Sequence, residues 1–142
     1  MATLIKNGTL VTAEESFSAD ILVEGEVIAQ VGKDLQIEAT DVVDASDRLI
    51  LPGGVDPHVH LDLPMFGTVS SDDHYTGTKA AAFGGTTTVI DFVPFETPSL
   101  DESVEKWHRK AEKAAVDYAA HMNLTRFNAN IAAEIPSLRE KG

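Results

Sequence analysis

The spacing of apolar and polar positions changes period once along the 142 residues, at about residue 53. Before that point, short alternating runs at 3–6, 9–12, 20–23, 27–31, 41–44 and 48–51 are broken by turn residues, the pattern of half-buried strands. Asn7-Gly8 and Glu24-Gly25-Glu26 both carry hairpin chemistry, because asparagine and glycine accept the positive φ that tight hairpin turns demand. Ala45-Ser46-Asp47 separates the last two runs. Residues 1–52 therefore read as four or five short strands, part of a small β-sandwich or an open sheet. None of their side chains points to chemistry, and the segment reads as a packing platform.

From residue 53 onward, strand and helix patterns alternate. Pro52-Gly53-Gly54 marks a sharp turn, and 55–61 a short buried strand. Residues 72–83 predict a helix with Ser70 or Ser71 as N-cap and Gly84 just past its end. The β-branched, continuously apolar run 86–93 predicts a buried parallel strand. Ser99-Leu100-Asp101-Glu102 is a capping box, and Val104, Trp107, Ala111 and Ala114 recur behind it at helical spacing. A third strand is expected at 116–122. A last helix follows, with Ile131, Ile135 and Leu138 on one face, Pro136 kinking it and Gly142 ending it. Such alternation predicts parallel βαβ units with right-handed crossovers. The fold class is thus α/β: sandwich-type strands over 1–52, then, over 53–142, the first three units of a (β/α)8 barrel that takes about 250 residues to close. Three units leave an open sheet edge and uncovered apolar surface.

The candidate chemistry sits on the first barrel-type strand. Side chains on a strand alternate faces, so Asp56, His58 and His60 share one. Two imidazoles one residue apart, just past a glycine turn, can bite one metal ion from a rigid support. The plainer reading of His58 and His60 is a pair of hydrogen-bonded core histidines. The surrounding Asp56-Pro57, the apolar strand and the glycine turn favour metal, since barrel enzymes place their chemistry at the C-terminal ends of strands. Asp56 reads as a turn or strand-end acceptor rather than a ligand. Asp91, near the end of the second strand, either hydrogen-bonds a ligand imidazole from behind or caps a neighbouring loop. His74 and His108 read as exposed helix residues, and the charges from Glu102 to Glu112 as a solvated helix face.

Composition narrows the partners. An apolar content of 43% is enough for a core, while a net charge of -12 leaves no basic face for nucleic acid or an anionic membrane. There is no cysteine, so any metal must sit on nitrogen and oxygen ligands. No long apolar run and no leader-like segment occurs, which reads as a soluble, cytoplasmic protein.

Lys6-Asn7-Gly8-Thr9-Leu10-Val11-Thr12, the Leu51-Pro-Gly-Gly-Val-Asp-Pro-His-Val-His-Leu-Asp-Leu-Pro64 stretch, Ala81-Ala-Phe-Gly-Gly-Thr-Thr-Thr88 and Asp91-Phe92 together resemble the dihydropyrimidinase and D-hydantoinase branch of the amidohydrolase superfamily. The likeness runs on through Asp117-Tyr118 and His121-Met122, and it makes the chain the N-terminal part of a larger enzyme. Allantoinase- and dihydroorotase-like relatives carry an arginine soon after the second histidine, suited to a carboxylate or ureide arm. Residues 61–67 here hold none. The resemblance implies a homo-oligomer, a tetramer, that opens a cyclic amide such as dihydrouracil or a 5-substituted hydantoin to an N-carbamoyl amino acid by a metal-bound hydroxide. It implies two divalent metal ions, usually zinc, with His58 and His60 on one of them and Leu63, Met65 and Phe66 in the loop that shapes the substrate pocket. It gives His121 no metal role, only packing or support. The bridging lysine, two further histidines and the aspartate base would lie beyond Gly142. No catalytic base is thus expected within these residues, and alone they are expected to be inactive. The alternatives are another amidohydrolase, allantoinase- or dihydroorotase-like, or a non-catalytic assembly protein of the same fold.

Overall fold

The computed structural model describes residues 1–141, in two compact units, Met1–Pro52 and Gly53–Gly142. The expected end of the last helix at Gly142 lies outside the described residues.

The first unit is a five-stranded sheet. Its strands are β1 (Ala2–Val11), β2 (Ser16–Glu24), β3 (Val27–Gly32), β4 (Asp41–Asp44) and β5 (Leu49–Ile50). Its order is β3-β2-β1-β4, with β5 also on β1. The hairpin expected at Glu24-Gly25-Glu26 forms: Glu24 faces Val27, and Gly25 takes φ +62°. The one expected at Asn7-Gly8 does not. β1 runs straight through it, and the first hairpin closes instead between Val11 and Ser16, where the Thr12 hydroxyl accepts from the N–H groups of Glu14 and Glu15. Asn7 does adopt φ +65°, but in a bulge, where the β1–β2 register shifts between Ile5 and Gly8. The Asn7 N–H, lost to the ladder, donates to Asp20 Oδ1 at 2.8 Å, and the Leu35 N–H donates to Asp20 Oδ2 at 2.9 Å. The bulge also divides the other edge of β1. Thr3–Lys6 pair with β4 and Thr9–Leu10 with β5, both parallel to β1. Ala45-Ser46-Asp47 thus bridges two pieces that run the same way. Asn7 Nδ2 donates to Asp44 Oδ1 at 3.0 Å across the irregularity.

The second unit contains β6 (Gly54–Val59), a small hairpin of β7 (Pro64–Met65) and β8 (Thr68–Val69), then α1 (His74–Phe83), β9 (Thr86–Val93), α2 (Leu100–Ala111), β10 (Asp117–Met122) and α3 (Ala129–Leu138). β6, β9 and β10 form a parallel sheet in the order β10-β9-β6. β6 is shorter than its apolar run because pairing with β9 becomes irregular between Asp56 and Val59, around the donor-less Pro57. β9 covers the expected residues, but only its Val89, Asp91 and Val93 face is buried, rather than both faces. Behind that face, Val93, Val104, Trp107 and Ala111 form a core joined by Tyr118, Ala120, Met122 and Leu138.

Two helices differ from expectation, α1 at its N-cap and α3 in its inward face. Asp73, not Ser70 or Ser71, caps α1: its Oδ1 accepts from the N–H groups of Tyr75 and Thr76, while the Thr76 hydroxyl takes the Asp73 N–H. The Ser70 hydroxyl is occupied by the Leu63 N–H at 2.9 Å. In α3 Ile131 is buried and Glu134 and Leu138, on the same face, are half-buried, while Ile135 is 40% exposed. Glu134 turns inward because its Oε2 accepts the Leu100 N–H at 2.6 Å and the Ser99 hydroxyl at 3.1 Å, capping α2 from another helix. The Ser99 hydroxyl also accepts the Glu102 N–H at 3.4 Å, one of the two bonds of the expected capping box. Among the described residues, no helix is long and apolar enough to cross a membrane.

Two outcomes follow for stability. The Asn7 N–H holds the Asp20 carboxyl below its ordinary value. A group depressed by folding stabilises at pH above its unfolded value and loses that contribution as pH falls. Asp20→Ala is therefore expected to lower the thermal midpoint at pH 7, with the deficit shrinking below about pH 4; a deficit independent of pH would contradict this. Trp107 is 3% exposed. Its replacement by alanine is expected to cost roughly 3–5 kcal/mol in urea denaturation.

Candidate functional site

β6 carries His58, and His60 lies just past its end. The structure brings the pair together: their Nε2 atoms lie 3.3 Å apart, with the rings edge-to-face. Both rings rest on Phe92, at centroid distances of 4.5 and 5.1 Å, and His121 meets the same phenyl ring at 5.1 Å. Three imidazoles from two strands therefore share one aromatic surface on the third. His121 is set opposite Phe92 by the β9–β10 register, and its Nε2 lies 3.2 Å from the Pro57 carbonyl oxygen, to which it donates. Asp56 turns back on its own strand, its Oδ1 accepting the His58 N–H at 3.1 Å.

The spacing of the two nitrogens can be compared with what a metal needs. Zinc bonds imidazole nitrogen at about 2.0–2.1 Å in near-tetrahedral geometry, which puts two such nitrogens about 3.3 Å apart. His58 and His60 meet that separation, which is also that of a hydrogen bond from one Nε2–H to the other Nε2, and both side chains are exposed. The donor set fits a divalent ion. Among the described residues, no group of three or more His, Asp or Glu side chains comes together as a fuller ligand set.

Asp91 lies on the other face of β9, next to Phe92 in sequence and 1% exposed. Its Oδ1 accepts the Phe92 N–H at 2.7 Å and the Leu61 N–H at 3.3 Å. Its Oδ2 accepts the Trp107 indole N–H at 2.9 Å and His74 Nε2–H at 3.1 Å. Burial pushes this carboxyl up, but the donors, His74 first, outweigh it and hold it below the ordinary carboxylate range. Its side-chain partners are thus His74 and Trp107 rather than His58 or His60, and its loop contact is to the residue immediately after His60.

His74 is one of two histidines that sequence reasoning misplaced. It is fully buried, because α1 begins on it and turns His74 and Thr78, four residues apart, toward β9. The Thr78 hydroxyl donates to the His74 carbonyl and accepts the Ala115 N–H at 2.8 Å. Among the described residues, His74 Nδ1 has no hydrogen-bond partner. The available signal was the Asp73-x-x-Thr76 capping box, which places His74 at the first helical position. His108 is half-buried rather than exposed, packed on Trp107 at 5.0 Å with its Nε2 on the Lys141 carbonyl at 2.9 Å.

The loop after His60 is held on one side by Lys110, which donates to the Asp62 carbonyl at 3.0 Å and meets its carboxylate at 3.4 Å. Leu63 is among the walls of a pocket between this loop and α2, along with Phe92, Pro94 and Trp107. Met65 and Phe66 lie outside that pocket, on the β7–β8 hairpin. Phe66 and Gly67 form its tip with φ +50° and +77°, and Phe66 is 99% exposed.

No family model matches the chain. Over 143 residues it is 44% identical to the D-hydantoinase of Geobacillus stearothermophilus, a match covering 99% of the chain and 30% of that protein. It is 45% identical to the dihydropyrimidinase of Dictyostelium discoideum, over 98% of the chain and 28% of that protein. The fold superposes on a crystal structure of D-hydantoinase with a TM-score of 0.94 at 43% identity, over 99% of the chain and 31% of that structure. A dihydroorotase crystal structure gives 0.59 at 25% identity, over 87% and 31%. The chain therefore spans about 30% of the length of the relatives it matches. Within that span, the resemblance to the dihydropyrimidinase and D-hydantoinase branch holds in both sequence and fold.

Proposed function

We propose that this chain is part of a metal-dependent cyclic amidase that opens a dihydropyrimidine or 5-substituted hydantoin ring to an N-carbamoyl amino acid. The observation that carries this reading is the His58–His60 pair, whose 3.3 Å separation suits one shared ion, in a chain that matches a D-hydantoinase along nearly its whole length. Strands β6, β9 and β10, sequential and parallel, are then the first three of a barrel. The 1–52 unit is part of a small β-sandwich. The complete enzyme is a cytoplasmic tetramer with two divalent ions, taken to be zinc.

His58 and His60 would hold one of those ions. Such ions, when bound, lower the pKa of water from about 15.7 toward 7 and polarise a carbonyl. Phe92 fixes the planes of both imidazoles by packing against them, so the ligand nitrogens are aimed before any metal arrives. Catalytic zinc takes three protein ligands and an open position. Two histidines alone do not meet that requirement, and the chain by itself is inactive in this proposal.

Leu63, Met65 and Phe66 form an apolar wall for the substrate's ring substituent. Residues 61–67 contain no arginine, so nothing in this loop would hold a carboxylate arm, which fits a neutral cyclic amide better than a dihydroorotate-like acid.

In a full-length enzyme carrying this sequence, His58→Ala or His60→Ala is expected to lose bound zinc and to abolish ring opening of dihydrouracil and 5-substituted hydantoins. Full turnover in either variant would falsify the proposal. Met65→Ala is expected to shift kcat/KM between small and bulky 5-substituents by about 10-fold, the scale of a methylene or two in an apolar pocket. An unchanged preference would remove Met65 from the pocket wall.

A further inference from the structure

Asp91 sits where β9, the loop after β6, α1 and α2 meet, and a packing role alone does not explain a charge there. Isolated burial of a carboxylate is costly, and an apolar side chain of similar size is often as good or better for stability. Here all four hydrogen bonds come from separate sources: the loop after β6, β9 itself, α1 and α2. The register places Asp91 opposite Val59, the residue between the two histidines.

We propose that Asp91 is a positioning residue for the His58–His60 pair, acting through the main chain of Leu61 and through Phe92, with His74 and Trp107 fixing it from behind. This rests on the reading of that pair as metal ligands.

One oxygen, Oδ1, receives both the N–H that follows His60 and the N–H of Phe92, whose ring packs on both imidazoles. Moving that oxygen moves the exit from His60 and the aromatic surface together. The other oxygen is fixed between an indole N–H from α2 and an imidazole N–H from α1. His74 must present Nε2–H to it, since a carboxylate only accepts. Asparagine keeps the shape of Asp91 but replaces one oxygen with a donor, so it must face either Trp107 and His74 or the two main-chain N–H groups with N–H against N–H. A change that preserves volume thus disrupts the aim of the histidines.

The test is zinc affinity of the purified full-length enzyme carrying this sequence, by competition with a chromophoric chelator, with thermal midpoints measured on the same samples. Asp91→Asn is expected to bind zinc roughly 10–100-fold more weakly than wild type, the range seen when a partner behind a metal ligand is removed. His74→Leu and Trp107→Phe, which each delete one donor, are expected to weaken zinc several-fold. His74→Gln, which restores a donor, is expected to recover most of the loss. Lys113→Ala releases the 2.6 Å contact to Asp73 at the α1 cap without touching Asp91, and is expected to lower the thermal midpoint while leaving zinc affinity unchanged. Zinc affinity within twofold of wild type in Asp91→Asn overturns the proposal. If that variant does not fold, unchanged affinity in both His74→Leu and Trp107→Phe does the same. Wild-type protein that takes up no zinc overturns the ligand reading of His58 and His60 instead, and the positioning role with it.

Discussion

The second unit depends on a buried carboxylate that has every hydrogen bond it can use. Taking an ionised aspartate out of water is tolerable only when donors replace the lost hydration, and each donor left unmatched costs about 1–3 kcal/mol. Asp91 receives two main-chain and two side-chain N–H groups, so the requirement is met only when β6, β9, α1 and α2 are all in place. Apolar packing of Val93, Val104, Trp107 and Ala111 brings these elements close, but apolar contact does not choose a register. Directional hydrogen bonds to one carboxylate do.

This places two different demands on the two faces of one strand. On β9, Asp91 and Val93 look toward the helices, where water is excluded, while Phe92 looks toward the imidazoles, which are exposed. The period of two in a strand makes that division automatic. Rigid support and open chemistry can then be one residue apart in sequence without interfering. The pKa of Asp91 reflects the same balance, since burial alone would raise it and its donors bring it down.

The legible parts of the sequence were those governed by local period. β9, the start of α2, its buried Val104, Trp107 and Ala111, and the Gly25 hairpin follow from patterns a few residues long. The His58–His60 pair was also readable as a candidate, since alternate positions on a strand share a face. What could not be read was set at long range. Asn7-Gly8 carries the signature of a hairpin, yet asparagine's tolerance of positive φ serves a bulge equally well, and Asp20, thirteen residues away, decides between them by taking the freed N–H. Ile135 has helical spacing with Ile131, but Glu134 takes the inward place because the α2 terminus needs an acceptor. His74 looked like a surface residue because its partner, Asp91, lies seventeen positions on.

The distribution of positive φ separates turn chemistry from strain. Asn7, Asp34, Asp47 and Asp62 adopt it, and these residue types enter that region at little expense because their short polar side chains bond to nearby backbone. Phe66 has no such compensation. It holds φ +50° with its ring almost wholly in solvent, so both backbone and side chain stand in places a phenylalanine avoids. Glycine in its place would relieve the turn, and any polar residue would relieve the exposure. A hairpin that keeps an aromatic at its tip, a few residues beyond His60, therefore holds a conformation and an exposure that no contact within the hairpin compensates.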